Sequence, residues 1–122
     1  MKINHSLKLV PMTKPEQTNP IIQRREKLLS SINRQIESIK RYKQGEKVRG
    51  LWFWIDDTGT MFLPIKYGKT VLELDKGKFS IECSTIDEVE DSLDTVKSLT
   101  RKGSFDDILK TTSGILRSNF LK

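Results

Sequence analysis

The spacing of apolar positions along the chain changes period twice. Between Pro20 and Tyr42, Ile22, Leu29, Ile32, Ile36 and Ile39 recur at spacings of 7, 3, 4 and 3, the stripe of an amphipathic helix. Asn19 supplies the N-cap, and Pro20 takes the first helical position, where a missing N–H costs nothing. Gly45 marks the end, near Tyr42. From Leu51 the period falls to two. If Asp57, Thr58 and Gly59 form a three-residue hairpin loop with Gly59 left-handed, Asp56 pairs with Thr60, Ile55 with Met61, Phe53 with Leu63 and Leu51 with Ile65. A two-residue turn at Gly68-Lys69 then pairs Ile65 with Leu72 and Leu63 with Leu74. A turn through Asp75-Lys76-Gly77-Lys78 pairs Leu74 with Phe79 and Leu72 with Ile81. All three hairpins keep one face apolar, and a slip of one residue would reverse every face, so the pattern predicts a four-stranded antiparallel meander. Its second face carries Trp52, Trp54, Phe62, Pro64, Lys66, Val71, Glu73, Ser80 and Glu82.

The helical period then returns. Thr85 with Glu88 reads as a capping box before the stripe Ile86, Val89, Leu93 and Val96, and Gly103 ends that helix. Ser104 with Asp107 caps a further short helix bearing Phe105, Ile108 and Leu109, which Gly114 breaks before a tail ending in Phe120. The order α-β-β-β-β-α-α predicts a single α+β domain over residues 19–122, with helices packed on one face of the sheet. Residues 1–18 read as an extended arm with one apolar patch, Leu7, Leu9 and Val10.

LKLV near the start, NPIIQRREKL, the Trp-rich strand, KYGKTVLELDKGKFSIE and GSFDDILKTTSGILRSNF follow one another as blocks. In that order they resemble a small family from phages and proteobacteria described as a domain of unknown function. The segment between the first helix and the Trp-rich strand is shorter here than in members of that family. The resemblance implies a phage or prophage origin, with the host cytoplasm as the setting. It carries no activity and no site residues.

Charge narrows the choice of partner. Residues 1–50 carry 12 Lys/Arg against 4 Asp/Glu, a balance of +8, whereas residues 51–122 carry 10 against 12, a balance of −2. A positive field concentrated in one part of a chain attracts polyanions and speeds their encounter. No apolar run approaches the roughly 20 residues of a membrane span, and MKINHSLKLVPM lacks the apolar stretch of a secretory signal, so a cytoplasmic location is expected. Cys83 and His5 are the sole cysteine and histidine, which leaves no disulfide, no cysteine cluster for zinc and no histidine-based catalytic set. A non-enzymatic protein without cofactor or metal is expected.

Two features remain as carriers of function. Arg24, Lys27, Arg34 and Arg41, interleaved with Ser31 and Ser38, fall at spacings of 3, 4, 3, 4 and 3 and form one row along the helix, about 26 Å long at 1.5 Å per residue. Such a row suits nucleic acid phosphates. It is equally the pattern of a solvated face, with Glu37 and Arg41 as an i,i+4 pair. The second feature is the outer sheet face, where Trp52, Trp54 and Phe62 beside Lys66 make a platform for stacking single-stranded bases. The same rings fit an interface with a host protein or a homodimer, or a surface covered by the arm or tail. Cys83 reads as a small core residue, Asp87, Glu88, Glu90 and Asp91 as acids at a positive helix end, and Asp56 to Gly59 as turn chemistry.

Overall fold

Asn19 begins the first helix through its own side chain, whose Oδ1 accepts the Ile21 N–H at 2.9 Å, with Pro20 in the first turn. The computed structural model describes residues 19–121, with side chains through Gly114; the expected arm at 1–18 and the Phe120 side chain lie outside the described residues. The helix, α1 (Pro20–Lys43), gives way to Gly45 at φ 89°. Its buried residues are Leu28, Ile32, Gln35, Ile36 and Ile39. The expected stripe therefore needs two corrections at its N-terminal end: Ile22 is exposed, and Leu28 rather than Leu29 enters the core. Both leucines sit at helical spacing from Ile32, so periodicity alone does not separate them.

The hairpin around Gly59 forms in the predicted register. Trp54 pairs with Phe62 and Ile55 with Met61, joining β1 (Trp54–Ile55) to β2 (Met61–Pro64). Gly59 has φ 87°, and the Asp56 N–H donates to the Thr60 carbonyl at 2.9 Å. The Gly68-Lys69 turn also forms, between β3 (Lys66–Tyr67) and β4 (Thr70–Val71), with the Leu72 N–H on the Ile65 carbonyl at 2.8 Å. The third turn closes where expected, through an Asp75–Lys78 bridge.

The sheet assembles differently from the predicted meander. β5 (Ser80–Cys83) pairs antiparallel with β2, placing Leu63 against Ile81, Met61 against Cys83 and Pro64 against Ser80. The result is a three-stranded sheet of order β1-β2-β5 beside a separate β3-β4 hairpin. Leu63 therefore faces Ile81 rather than Leu74, and Ile55 (47% exposed) and Phe79 (48%), both expected inside, lie on the surface. Pro64, expected on the outer face, is buried.

The short first strand has a local cause. Asp56–Thr60 is a hydrogen-bonded pair, so by the two-residue alternation of an antiparallel ladder Trp52 and Pro64 would be another. Pro64 has no N–H to give, and the Trp52 N–H goes instead to Gln35 Oε1 at 2.9 Å. The Gln35 amide also donates to the Gly50 carbonyl at 2.9 Å, and Gly50 turns the chain at φ 78°. One glutamine in the apolar stripe thus fastens the strand's approach to α1 and ends its ladder.

Thr85 Oγ1 accepts the Glu88 N–H at 3.2 Å, and the Glu88 carboxylate takes the Ser84 N–H, a reciprocal cap on α2 (Ile86–Lys102). Gly103, at φ 88°, closes it. The last helix, α3 (Asp106–Leu121), runs through Gly114 instead of breaking there. A helical glycine costs only about 1 kcal/mol, and burial of Phe105, Leu109 and Thr112 holds the preceding turns. Helices and antiparallel strands make an α+β fold around one core, in which Leu28, Ile32 and Ile39 meet Leu63, Ile65 and Leu72 and the α2 residues Val89 and Leu93. Among the described residues no helix is long and apolar enough to cross a membrane.

Candidate nucleic-acid interface

At about 100° per residue, the buried positions of α1 centre on one direction, and the row Arg24, Lys27, Ser31, Arg34, Ser38 and Arg41 is rotated roughly 110° from it. The row is thus a flank of the helix rather than its back. Contacts fix which flank. Tyr42 packs edge-on to Phe53 with ring centroids 5.4 Å apart, Gln35 holds Gly50 and Trp52, and the Lys27 ammonium sits 4.7 Å over the Tyr67 ring. The cations therefore border the segment that leads into β1, and the β3-β4 hairpin.

Their states differ. Among the described residues Arg24, Lys27 and Arg34 make no ion pair. Arg24 is half-buried, Lys27 and Arg34 are exposed, and the Arg34 Nη2 donates to Ser31 Oγ at 3.2 Å. Arg41 is engaged, its Nε donating to Glu46 Oε2 at 2.7 Å; the acid is Glu46 of the following loop, not Glu37. Arg24 and Lys27 line a cleft of about 250 Å³ with Pro20, Gln23, Tyr67 and Ser113, where α1, β3 and α3 meet. Two cationic residues and Ser113 line it together, a set suited to an anion.

The aromatic face is smaller than its sequence suggests. Trp54 is 54% exposed and stacks on Phe62, with centroids 4.8 Å apart and planes at 27°. Phe62 is half-covered by that stacking. Trp52, expected on the outer face, is half-buried and packs against the core. Lys66 is half-buried opposite Val71 in the β3-β4 hairpin, apart from the three-stranded sheet, and the residue across from Phe62 is the acidic Glu82. Trp54 lies on β1, the edge strand that follows the segment held by Gln35, two residues and about 7 Å beyond Trp52.

On the opposite flank of α1 two cations are tied down. Arg25 donates from Nε and Nη2 to the two Asp106 oxygens at 2.9 and 2.6 Å, and Lys43 reaches Asp87 at 2.6 Å and Glu90 at 3.4 Å. The guanidinium hydrogen bonds hold the Asp106 carboxyl below its ordinary value, with smaller help from the charges of Arg25 and Arg24. Asp56 is also held low, chiefly by the Thr58 hydroxyl and then by backbone N–H groups of the turn. Cys83 is buried, with its sulfur 3.6 Å from Ser92 Oγ. Among the described residues no cluster of three or more His, Cys, Asp or Glu could hold a metal ion.

Sequence periodicity found the row and the exposed Trp54. It missed Gln35 and Tyr67, which orient that surface. A polar residue at helical spacing from Ile32 and Ile39 was the available signal for Gln35; for Tyr67 the sequence carried none. Set against protein-family models, curated proteins and solved structures, the chain matches none of them.

Proposed function

We propose that the protein binds nucleic acid, with a single strand following the free flank of α1 and one base stacking on Trp54, as a small accessory protein of the phage type its sequence blocks suggest. The observation that carries this reading is the separation of charge states on one helix. Arg25 and Lys43, which face α3 and α2, are matched to acids, whereas Arg24, Lys27 and Arg34, spread over about 15 Å, have no ion-pair partner among the described residues. Charges without a partner are the ones that release counterions when they meet phosphates. The cleft at Arg24 and Lys27 gives the track its starting phosphate, and Trp54 gives it a sequence-tolerant stacking contact.

The test is fluorescence anisotropy of labelled single-stranded and duplex oligonucleotides at low and physiological salt, with tryptophan emission recorded alongside. The expected result is salt-sensitive binding, strongest for the single strand, with tryptophan quenching. Reversing charge in Arg24→Glu/Lys27→Glu/Arg34→Glu should weaken it by at least about a hundredfold while the melting temperature holds. Unchanged affinity in that variant would exclude this flank. Binding that ignores salt would assign Trp54, with its exposed neighbour Ile55, to a protein interface instead.

A further inference from the structure

The far edge of the sheet carries a second surface. Because Asp56–Thr60 is a hydrogen-bonded pair, Phe62 directs its backbone groups toward β1, and Met61 and Leu63 direct theirs toward β5. Their partners Cys83 and Ile81 thus spend their N–H and C=O on β2, and the backbone groups of Ser80 and Glu82 point to the open side. β5 ends the sheet, and no backbone partner takes those groups among the described residues.

Beside that edge lies a groove of about 580 Å³ between β5 and α2. Its floor is apolar, with Leu74, Ile81, Val96, Leu99 and Phe105; Glu88 and Asp91 of α2 also line it and no lysine or arginine does, while Glu82, paired with Phe62, turns its side chain to the other face of the strand. An open strand edge supplies main-chain hydrogen bonds, an adjacent apolar trough takes every second side chain of an added strand, and the acids select charge on the rest.

We infer that this edge docks an extended peptide of a partner protein, with apolar residues at alternate positions and lysine or arginine between them. The occupant is chosen by charge complementarity. Acids on either side of the edge, Glu82 on the strand and Asp91 on the helix, with no cation in the groove lining, disfavour an acidic peptide or a nucleic acid strand and favour a basic one; Glu88 is already engaged by the Ser84 N–H. Four residues of β5 present about 13 Å of edge, so four or five peptide residues make the contact. The site is separate from the flank of α1, and neither reading depends on the other.

The probe is a fluorescein-labelled eight-residue peptide alternating lysine with leucine or valine, titrated into the full ¹⁵N-labelled chain, with a glutamate-for-lysine version as control. Binding of the basic peptide alone, with amide shifts confined to residues 80–84 and the first turns of α2, is the expected result. Glu82→Pro removes an outward N–H without touching the β2 ladder and should weaken binding by more than about tenfold, against a few-fold for Glu82→Gln. Asp91→Lys, on the helix side, should cost about tenfold and keeps the test decisive if the proline variant misfolds. Equal affinity for both peptides, shifts along α1, or unchanged affinity in Asp91→Lys would overturn the assignment. So would absence of binding, including the case in which the amides of Ser80 and Glu82 are already protected from exchange because the chain's own N-terminal residues or a second copy hold the edge.

Discussion

The two flanks of α1 are built from the same residue types and do different things. On the side facing α2 and α3, Arg25 and Lys43 sit about 40° from the buried centre and each finds carboxylates on another element. On the other side, Arg24, Lys27 and Arg34 lie farther round, where the neighbours are an aromatic ring, a loop backbone and solvent. Arg25 and Lys43 join helix to helix; Arg24, Lys27 and Arg34 leave their charge available, while Arg41 at the end of their row is engaged by Glu46. Net charge counts both kinds alike, although only the second kind bears on a polyanionic partner.

The flanks are held by different physics, and the largest expected effect tests that. On the free flank the attachment is apolar: Phe53 is buried in the core and meets Tyr42 edge-on. Phe53→Ala should cost about 3–5 kcal/mol in urea unfolding, as a buried aromatic truncation does. A loss below about 1 kcal/mol would mean that hydrogen bonds to Gln35, rather than this ring, secure the segment.

On the paired flank the vulnerable point is a glycine. Gly103 ends α2 in the left-handed region at φ 88°, and a Cβ there would stand 2.6 Å from Arg25 Nη2 and 2.9 Å from Asp106 Oδ2. Gly103→Ala should therefore cost about 1–2 kcal/mol for the backbone conformation, with displacement of the ion pair added. The measurement is chemical denaturation of Gly103→Ala beside Arg25→Gln. If the alanine costs no more than about 0.5 kcal/mol, the turn has another conformation open to it and the clamp is not rigid.

Local chemistry made most of this legible in the sequence, and competition between distant segments hid the remainder. Asn19-Pro20, Asp56 to Thr60, Thr85 with Glu88, and Gly103 each settle their structure within a few residues, and each formed as the sequence reads. The partner of β2 could not be settled that way. Alternation fixes which face a side chain takes, and both Leu74 and Ile81 satisfy the apolar face opposite Leu63. What decides between them is tertiary: β3 and β4 form their own hairpin and β5 takes the vacated side of β2. Likewise the row of cations was visible, but its division into paired and unpaired members was not, because Asp106, Asp87 and Glu90 lie more than forty residues away in sequence.

The smallest effect on stability is the sharpest comparison, since it sets two adjacent arginines side by side. Asp106 is held below its ordinary 3.8 by Arg25, so its contribution is complete above about pH 4 and is lost as pH falls through the lowered folded value. Arg25→Gln should lie below the wild type by a constant margin from pH 5 to 8, and the two stability curves should converge in more acidic solution. Arg24→Gln, at a half-buried residue without an ion pair, should stay within about 0.5 kcal/mol of the wild type from pH 5 to 8, with a small deficit that closes in acid because its charge also helps hold Asp106 low. In oligonucleotide binding the order should reverse. Removing Arg24 should lower the slope of log affinity against log salt by about 0.7, the share of one phosphate on a single strand, while removing Arg25 leaves it unchanged. Equal slopes for the two variants would mean that the unpaired flank has no privileged contact with phosphate, whatever its charge.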